Sequence, residues 1–145
     1  MTITPDVTQV TDGSDAMRRF VPHSPFVQLL GIRLVELGDG EAELVMPYRP
    51  ELTTIGTMVH GGALAAAADI GLMVAAWAGR PVPDKVRGVT TSLSVTFLSP
   101  LDADDLRIVG STLHGGRQLV HGSVELRAAA DDRLVATALG TYKVG

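Results

Sequence analysis

The chain has 145 residues, with 12 basic and 16 acidic side chains and a formal net charge of −4. Its length suits one domain with a substantial core, and its acidic balance argues against a nucleic-acid-binding surface. The absence of cysteine excludes disulfides, thiolate metal sites and a cysteine nucleophile. The four histidines lack the close spacing of a metal-binding motif, so we expect neither a metal nor a cofactor.

The N-terminus predicts a flexible tail over residues 1–13, ahead of a single domain over residues 14–145. The tail lacks the basic and apolar regions of a signal peptide. The most apolar stretch, residues 63–78, is shorter than a bilayer span and contains Asp69. We therefore expect a soluble, cytoplasmic protein that does not cross a membrane.

The first half of the domain is predicted from caps, turns and apolar periodicity. Short helices are expected over residues 16–20, after a cap at Ser14-Asp15, and from Ser24-Pro25 to Leu30. Alternating apolar residues predict strands over 31–36 and 42–47, on either side of the turn Gly38-Asp39-Gly40, and residues 51–59 are expected to form a loop.

The second half is predicted to hold one long helix and four strands. The helix runs from Gly61 to Ala78, and Gly79 ends it. A rigid, proline-containing connector over 81–84 follows, and the strands cover residues 87–98, 105–114, 118–128 and 133–143. One long helix among many antiparallel strands predicts an α+β fold.

The long helix carries one carboxylate, Asp69, in an otherwise apolar run. Burying a charge costs several kcal/mol unless something compensates it. A structural hydrogen bond or ion pair is one explanation for Asp69. Chemistry is the other, because His60-Gly61-Gly62 stands at the helix start, where glycines admit a ligand and free N–H groups bind developing negative charge.

The spacing between Gly61 and Asp69 restricts how they can act together. They are eight residues apart, which places them roughly 12 Å apart along the helix axis. One small reacting group cannot contact both Gly61 and Asp69 of the same helix. The sequence therefore predicts either two unrelated sites or one site built from two subunits, and we favour the shared site.

The pattern from Gly56 through Val59-His60-Gly61-Gly62 to Asp69, followed by Val89-Thr90 and Phe97-Leu98-Ser99-Pro100, resembles the hotdog-fold acyl-CoA thioesterases. It is most similar to the phenylacetyl-CoA and 4-hydroxybenzoyl-CoA type, over about residues 25–144. The resemblance implies a hotdog fold, in which an antiparallel sheet wraps one long central helix. It also implies hydrolysis of an acyl-CoA thioester to free acid and CoA. The active assembly is expected to be at least a homodimer, and we expect a homotetramer.

Site roles are also implied by this resemblance. The Gly61 N–H polarises the thioester carbonyl, and Asp69 from the other subunit is the nucleophile or the general base. His60 orients the loop or lies near the thioester sulfur, and Gly62 of the same loop is expected to bind substrate.

The chain departs from the family at two positions. Where many relatives carry an amide before the histidine, this chain has Thr53 or Thr54, and we assign Thr54 to substrate binding. Where some relatives carry a hydroxyl one turn after the acid, this chain has Met73. The hydroxyl that holds the attacking water is therefore expected from Thr90 or Thr91, unless these are simply strand-forming residues.

The turn His114-Gly115-Gly116-Arg117 is a further candidate site. Glycine amides beside an arginine suit a phosphate, so Gly116 and Arg117 are predicted to bind the CoA nucleotide. The alternative is an ordinary glycine hairpin. Further candidates are Arg80, Lys85 and Arg87 for phosphate, Phe26 and Leu29 over the acyl chamber, and Leu72, Met73 and Trp77 for an acyl pocket or plain core.

Three other functions stay open on the same residues. The protein could be a non-catalytic acyl-CoA sensor, an acyl-CoA hydratase or dehydratase, or an assembly partner without a ligand. A hydratase needs a His–acid pair at the substrate's α and β carbons. His60 and Asp69 fit this arrangement less well than they fit the thioesterase pattern. A sensor normally needs a DNA-binding segment, for which residues 1–24 are too short and too acidic. The acyl group, and the choice between CoA and a carrier protein, are not determined.

Overall fold

The computed structural model describes residues 9–145. The helices are α1 (Gly13–Phe20), α2 (Pro25–Leu30) and α3 (Gly61–Trp77). The strands are β1 (Arg33–Gly38), β2 (Glu41–Met46), β3 (Thr53–Ile55), β4 (Met58–Val59), β5 (Gly88–Phe97), β6 (Leu106–Gly115), β7 (Leu119–Ala128) and β8 (Leu134–Val144). Short 3-10 turns at Val21–His23 and Pro50–Leu52 join neighbouring elements.

Six strands form one antiparallel sheet in the order β1-β2-β6-β7-β8-β5. Helix α3 packs against this sheet and contacts β2, β5, β6, β7 and β8. Strands β3 and β4 form a separate small hairpin immediately before α3. An antiparallel sheet packed on a single long helix confirms the predicted α+β hotdog fold.

Helix α3 is buried because its residues are apolar on nearly every side. Leu72 and Val74 are 1% and 0% exposed. The helix approaches the sheet most closely at Gly71, where an added Cβ would lie 2.7 Å from Ile108 Cγ2 on β6. An added Cβ on Gly110 would collide with the Gly71 carbonyl oxygen. Side chains at these two glycines would push α3 away from the sheet and displace Gly61 and Asp69, which lie on this helix.

The predicted strands and the long helix agree with the structure to within two residues. Helix α1 begins at Gly13, three residues earlier than predicted, because the Asp12 carboxylate accepts the Asp15 N–H at 2.8 Å and caps the helix. The segment 51–59, predicted to be a loop, contains part of a 3-10 turn and the hairpin β3–β4. Of the tail predicted over residues 1–13, residues 1–8 lie outside the described residues.

Strand β5 is an edge of the sheet. It pairs with β8 on one side, and no other strand within residues 9–145 pairs with it on the other side. Val89 and Phe97, near its two ends, are 57% and 53% exposed. A strand of 10 residues with one open edge and exposed apolar side chains is a template for pairing with another chain.

Two classes of feature are absent from the described part of the chain, residues 9–145. None of its helices combines the length and apolar character that crossing a membrane requires. No three of its His, Asp or Glu side chains stand together as ligands for a metal ion.

Candidate active site

The loop before α3 is held on both sides by backbone hydrogen bonds. The His60 N–H donates to the Leu52 carbonyl oxygen at 2.7 Å, and the Val59 N–H donates to the Leu101 carbonyl oxygen at 2.9 Å. Leu52 and Leu101 are both buried. The start of α3 is therefore fixed against the core at the point where the glycine pair begins.

The side chain of His60 caps α3. Its Nδ1 accepts the Gly62 N–H at 2.7 Å, and its carbonyl oxygen accepts the Ala63 N–H at 3.0 Å. With the His60 N–H held by Leu52, three of the four N–H groups that a helix start leaves open are occupied. The fourth, the Gly61 N–H, donates to no other residue within 9–145. It is thus available to a ligand at the positive end of the helix dipole.

The ring of Phe97 lies beside Gly61. A Cβ added to Gly61 would lie 3.7 Å from Cε1 and Cζ of that ring, an ordinary van der Waals contact. Gly61 is half-buried, and the aromatic ring beside it belongs to the last residue of the edge strand β5. Phe97 belongs to the sequence motif, but the motif does not reveal this position, because it depends on how β5 lies along the helix.

Asp69 faces the opposite end of the same strand. The Thr90 hydroxyl donates to Asp69 Oδ1 at 2.6 Å, and both residues are half-buried. The carboxylate therefore lies at the boundary of the core, whereas the apolar sequence around it suggested full burial. It reaches this boundary because β5 is an edge strand, which leaves the neighbouring face of α3 partly open. Within residues 9–145, Asp69 Oδ2 makes no hydrogen bond.

The threonines predicted for the site have different surroundings in the structure. The Thr91 hydroxyl donates to the Thr141 carbonyl oxygen at 3.2 Å, away from Asp69. The register of β5 shifts between Thr90 and Ser92, so Thr90 rather than Thr91 faces the helix. Thr54 is exposed on β3. Its neighbour Thr53 lies closer to the loop, since it borders a groove beside His60, while its hydroxyl donates to the Pro50 carbonyl oxygen at 2.7 Å.

That groove, of about 430 Å³, runs along the α2 side of the loop. Phe26 and Leu29, predicted to cover an acyl chamber, border it and are 53% and 67% exposed. Gly62 lines it too, but its N–H is held by His60. The groove is consequently a mostly apolar surface whose lining also includes the polar side chains of Arg49, Glu51 and His60.

The turn between β6 and β7 borders a second, basic groove of about 560 Å³. The Gly116 N–H donates to the Leu119 carbonyl oxygen at 2.8 Å, so the predicted phosphate contact from this amide is corrected: the hairpin itself uses it. The Arg80 guanidinium holds the turn by donating to the carbonyl oxygens of Gly116 and Arg117 at 2.7 and 3.0 Å. The described side chains that give the groove its charge are Arg80, Lys85, Arg87, Arg117, Lys143 and the single carboxylate Asp84.

Strand pairing is what adds Lys143 to this groove. Its register partner across the sheet is Leu119, two residues after Arg117. No local sequence pattern indicates this proximity, because Arg117 and Lys143 are far apart along the chain and only the pairing of β7 with β8 brings them together.

Comparison with known proteins agrees with this fold. The family model of the Thioesterase superfamily matches residues 56–135. Acyl-coenzyme A thioesterase 13 from Homo sapiens is 32% identical over 124 residues, which cover 83% of this chain and 85% of that protein. The solved structure of conserved protein PA5202 from Pseudomonas aeruginosa is 31% identical, with a TM-score of 0.74 over 84% of this chain and 94% of that one.

A more distant structure shares the architecture alone. The E. coli PaaI protein, from the phenylacetic acid degradation operon, is 20% identical and has a TM-score of 0.75 over 92% of this chain and 91% of that one. The matched family segment begins before the His60 loop and includes all of α3, β5, β6 and β7. The chain therefore belongs to the thioesterase superfamily, and its general chemistry is the hydrolysis of thioesters.

Proposed function

We propose that the protein hydrolyses an acyl-CoA thioester to the free acid and CoA, at a site shared by two subunits. The Gly61 N–H of one subunit binds the carbonyl oxygen, and the partner's Asp69 acts on the carbonyl carbon or on the attacking water. The observation that carries this proposal is the free Gly61 N–H at the start of α3, beside three neighbouring N–H groups that are already occupied.

Strand β5 explains how two subunits can complete the site. Within one chain, Phe97 at one end of β5 contacts Gly61, and Thr90 near the other end holds Asp69. If two copies of β5 pair antiparallel about a twofold axis, the Phe97 end of one strand lies beside the Thr90 end of the other. Each Gly61 then approaches the partner's Asp69, and the dimer carries two equivalent sites. A homotetramer would follow from pairing two such dimers.

The chemistry follows from these positions. As the carbonyl carbon is attacked, negative charge develops on its oxygen, and the Gly61 N–H and the helix dipole stabilise that charge. The Asp69 carboxylate either attacks to form a mixed anhydride, which water then hydrolyses, or removes a proton from the attacking water. In both routes the carbon–sulfur bond breaks. The leaving CoA sulfur takes the proton that Asp69 removed from water in the general-base route, and a proton from the solvent in the nucleophilic route.

The surrounding residues are given supporting roles. His60 holds the loop through Gly62 and lies near the thioester sulfur. Thr90 donates to Asp69, and the same hydroxyl oxygen can accept a hydrogen bond from the attacking water. Thr54 and Thr91 stay predictions for substrate binding, since their described contacts point elsewhere or to solvent.

Replacing Thr90 with valine is expected to lower kcat by about tenfold to a hundredfold, the range that losing a hydrogen bond to a charged group supplies. Valine keeps the branched shape but cannot donate to Asp69. Thr90→Ser keeps the hydroxyl and is expected to retain most of the turnover. Steady-state kinetics of both variants test this, and equal activities for valine and serine would contradict a role for the hydroxyl.

The basic groove is proposed to hold the phosphates of the CoA nucleotide, with Arg117 as a direct contact. Arg117→Gln is expected to raise KM for acyl-CoA by about threefold to tenfold and to leave kcat unchanged, because an exposed ion pair contributes modestly. A thioester of N-acetylcysteamine lacks the nucleotide and serves as the control substrate. Arg18→Gln removes an exposed arginine outside the groove. It should change neither the KM for acyl-CoA nor the KM for the N-acetylcysteamine thioester.

Thiol release from a panel of acyl-CoAs, from acetyl through aromatic to long-chain, tests the proposed function directly. Hydrolysis of at least one acyl-CoA with a kcat/KM above about 10⁴ M⁻¹s⁻¹, the lower part of the usual enzymatic range, is expected. The second candidate is a non-catalytic acyl-CoA-binding protein. It would show no thiol release across the panel, while CoA still raises the melting temperature through preferential binding to the folded state.

A further inference from the structure

A cavity of about 350 Å³ lies between α1, the second half of α3 and the strands β5 and β8. Its wall includes Met17 and Phe20 from α1, Met73 and Trp77 from α3, and Tyr142 from β8. Ligand pockets are typically concave, mostly apolar and about 300 Å³ or larger. The steps of thioester hydrolysis described above do not use this cavity.

The cavity begins one helical turn from Asp69. Asp69, Met73 and Trp77 follow one another at intervals of four residues and so lie on one face of α3. Trp77 stands roughly 12 Å from Asp69 along the helix axis. On the sheet side, Tyr142 is the register partner of Thr90, whose hydroxyl holds Asp69. Residues on the helix and on the sheet therefore connect Asp69 to the cavity wall.

The side chains in the cavity wall are apolar apart from Trp77 Nε1, the Tyr142 hydroxyl and two arginines at the border. Trp77 Nε1 donates to the Tyr142 hydroxyl at 3.2 Å, so these two polar atoms satisfy each other. Burial raises the pKa of Tyr142 above its ordinary value, which keeps the phenol neutral. Of the two arginines at the border, Arg19 is paired with Asp15 at 3.2 Å, and Arg87 also borders the basic groove. An alkyl chain needs no partners in such a wall, whereas the amides of a pantetheine arm would lose theirs.

We infer that this cavity receives the acyl chain of the substrate, and that the preferred acyl group is a medium-length aliphatic chain. The inference rests on the proposed thioester hydrolysis at Asp69. An extended alkyl chain advances about 1.3 Å for each carbon–carbon bond of about 1.5 Å. The distance of roughly 12 Å from Asp69 to Trp77 thus suits a chain of about eight to ten carbons. A single aromatic ring would leave much of this depth empty and forfeit its dispersion contacts.

Two variants narrow the cavity from different sides. Ala16→Leu fills it from the buried face of α1, where Ala16 is 5% exposed, and leucine is a good helix former. Val86→Phe narrows it from the half-buried connector before β5 and does not depend on repacking α1. Ala66→Leu is the matched comparison, because it fills the open groove beside His60 and leaves the cavity alone.

The measurement is the ratio of kcat/KM for octanoyl-CoA to kcat/KM for acetyl-CoA. In the wild type octanoyl-CoA is expected to be hydrolysed faster than acetyl-CoA and benzoyl-CoA. Ala16→Leu and Val86→Phe are expected to lower the ratio about tenfold or more, since excluding even one methylene changes discrimination by about that factor. Ala66→Leu is expected to leave the ratio unchanged.

Several results would overturn the inference while leaving the proposed function intact. Equal losses on acetyl-CoA and octanoyl-CoA would place the CoA arm in the cavity, or make the cavity purely structural. A ratio that responds to Ala66→Leu and not to the other two variants would assign the acyl chain to the groove beside His60. A wild-type preference for benzoyl-CoA would overturn the aliphatic assignment. Absence of thiol release from every acyl-CoA would instead remove the proposed function, and the inference with it.

Discussion

Replacing Asp69 with asparagine is expected to lower kcat for acyl-CoA hydrolysis by about 10²–10⁴-fold, the contribution of a positioned general acid or base. Asparagine keeps the size of the side chain, and its Oδ1 can still accept the Thr90 hydroxyl that now donates to Asp69 at 2.6 Å. What it loses is the negative charge that attacks carbon or accepts a proton. The measurement is thiol release, with the melting temperature and the molecular mass in solution recorded alongside.

The controls separate loss of chemistry from loss of structure. Because Asp69 is half-buried and makes one described hydrogen bond, we expect the asparagine variant to melt within a few degrees of the wild type. Turnover close to that of the wild type would remove Asp69 from the mechanism. Label found in the Asp69 carboxylate after reaction in oxygen-18 water would establish the nucleophilic role, because a general base exchanges no oxygen with the solvent.

Replacing Gly61 with proline is expected to lower kcat by about 10²–10³-fold, the usual cost of removing one oxyanion donor. Proline has no N–H, and it is favoured at the first position of a helix, where Gly61 stands. The preceding residue, His60, has φ −65° and ψ 137°, the extended conformation that a residue before proline prefers. The substitution thus deletes one donor without breaking a described hydrogen bond.

Gly61→Ala is the matched variant for this experiment. Alanine adds a Cβ at an ordinary distance of 3.7 Å from the Phe97 ring and keeps the N–H. It is expected to retain turnover within about tenfold of the wild type, while proline does not. Similar losses for alanine and proline would mean that added bulk, rather than the missing N–H, lowers the rate.

The two variants together test the shared site. A heterodimer of one Gly61→Pro chain and one Asp69→Asn chain carries one site with both changes and one site with neither. Purified through two different tags, it is expected to recover about half of the wild-type activity, although both parent proteins are nearly inactive. A heterodimer as inactive as its parents would show that the donor and the acid act from the same chain.

The sequence was sufficient to predict the main elements around the site. The apolar run after Gly61 and the alternating strands were strong periodic signals, so the bounds of α3 and of β5–β8 differ by at most one residue from their predictions. The start of α1 was predicted late because Asp12 competes with Ser14 and Asp15 as a cap, and only the folded geometry selects Asp12.

Details inside the site depended on contacts that the sequence does not encode locally. The shift in register between Thr90 and Ser92 on β5 decides which hydroxyl faces Asp69. Leu72, one of three acyl-pocket candidates, is 1% exposed in the core and does not border the cavity, whereas Met73 and Trp77 do. Their different positions follow from the rotation of α3 against the sheet, which a nearly uniform apolar helix does not reveal.

The separation of eight positions between Gly61 and Asp69 has a consequence for regulation. When the two halves of an active site belong to separate chains, catalysis requires that two chains associate. A folded monomer then contains one copy of each half, but the two halves are too far apart to act on the same thioester, so it is inactive. Specific activity is therefore expected to depend on protein concentration, falling on dilution below the dissociation constant of the dimer, and substrate that bridges two chains should draw them back together.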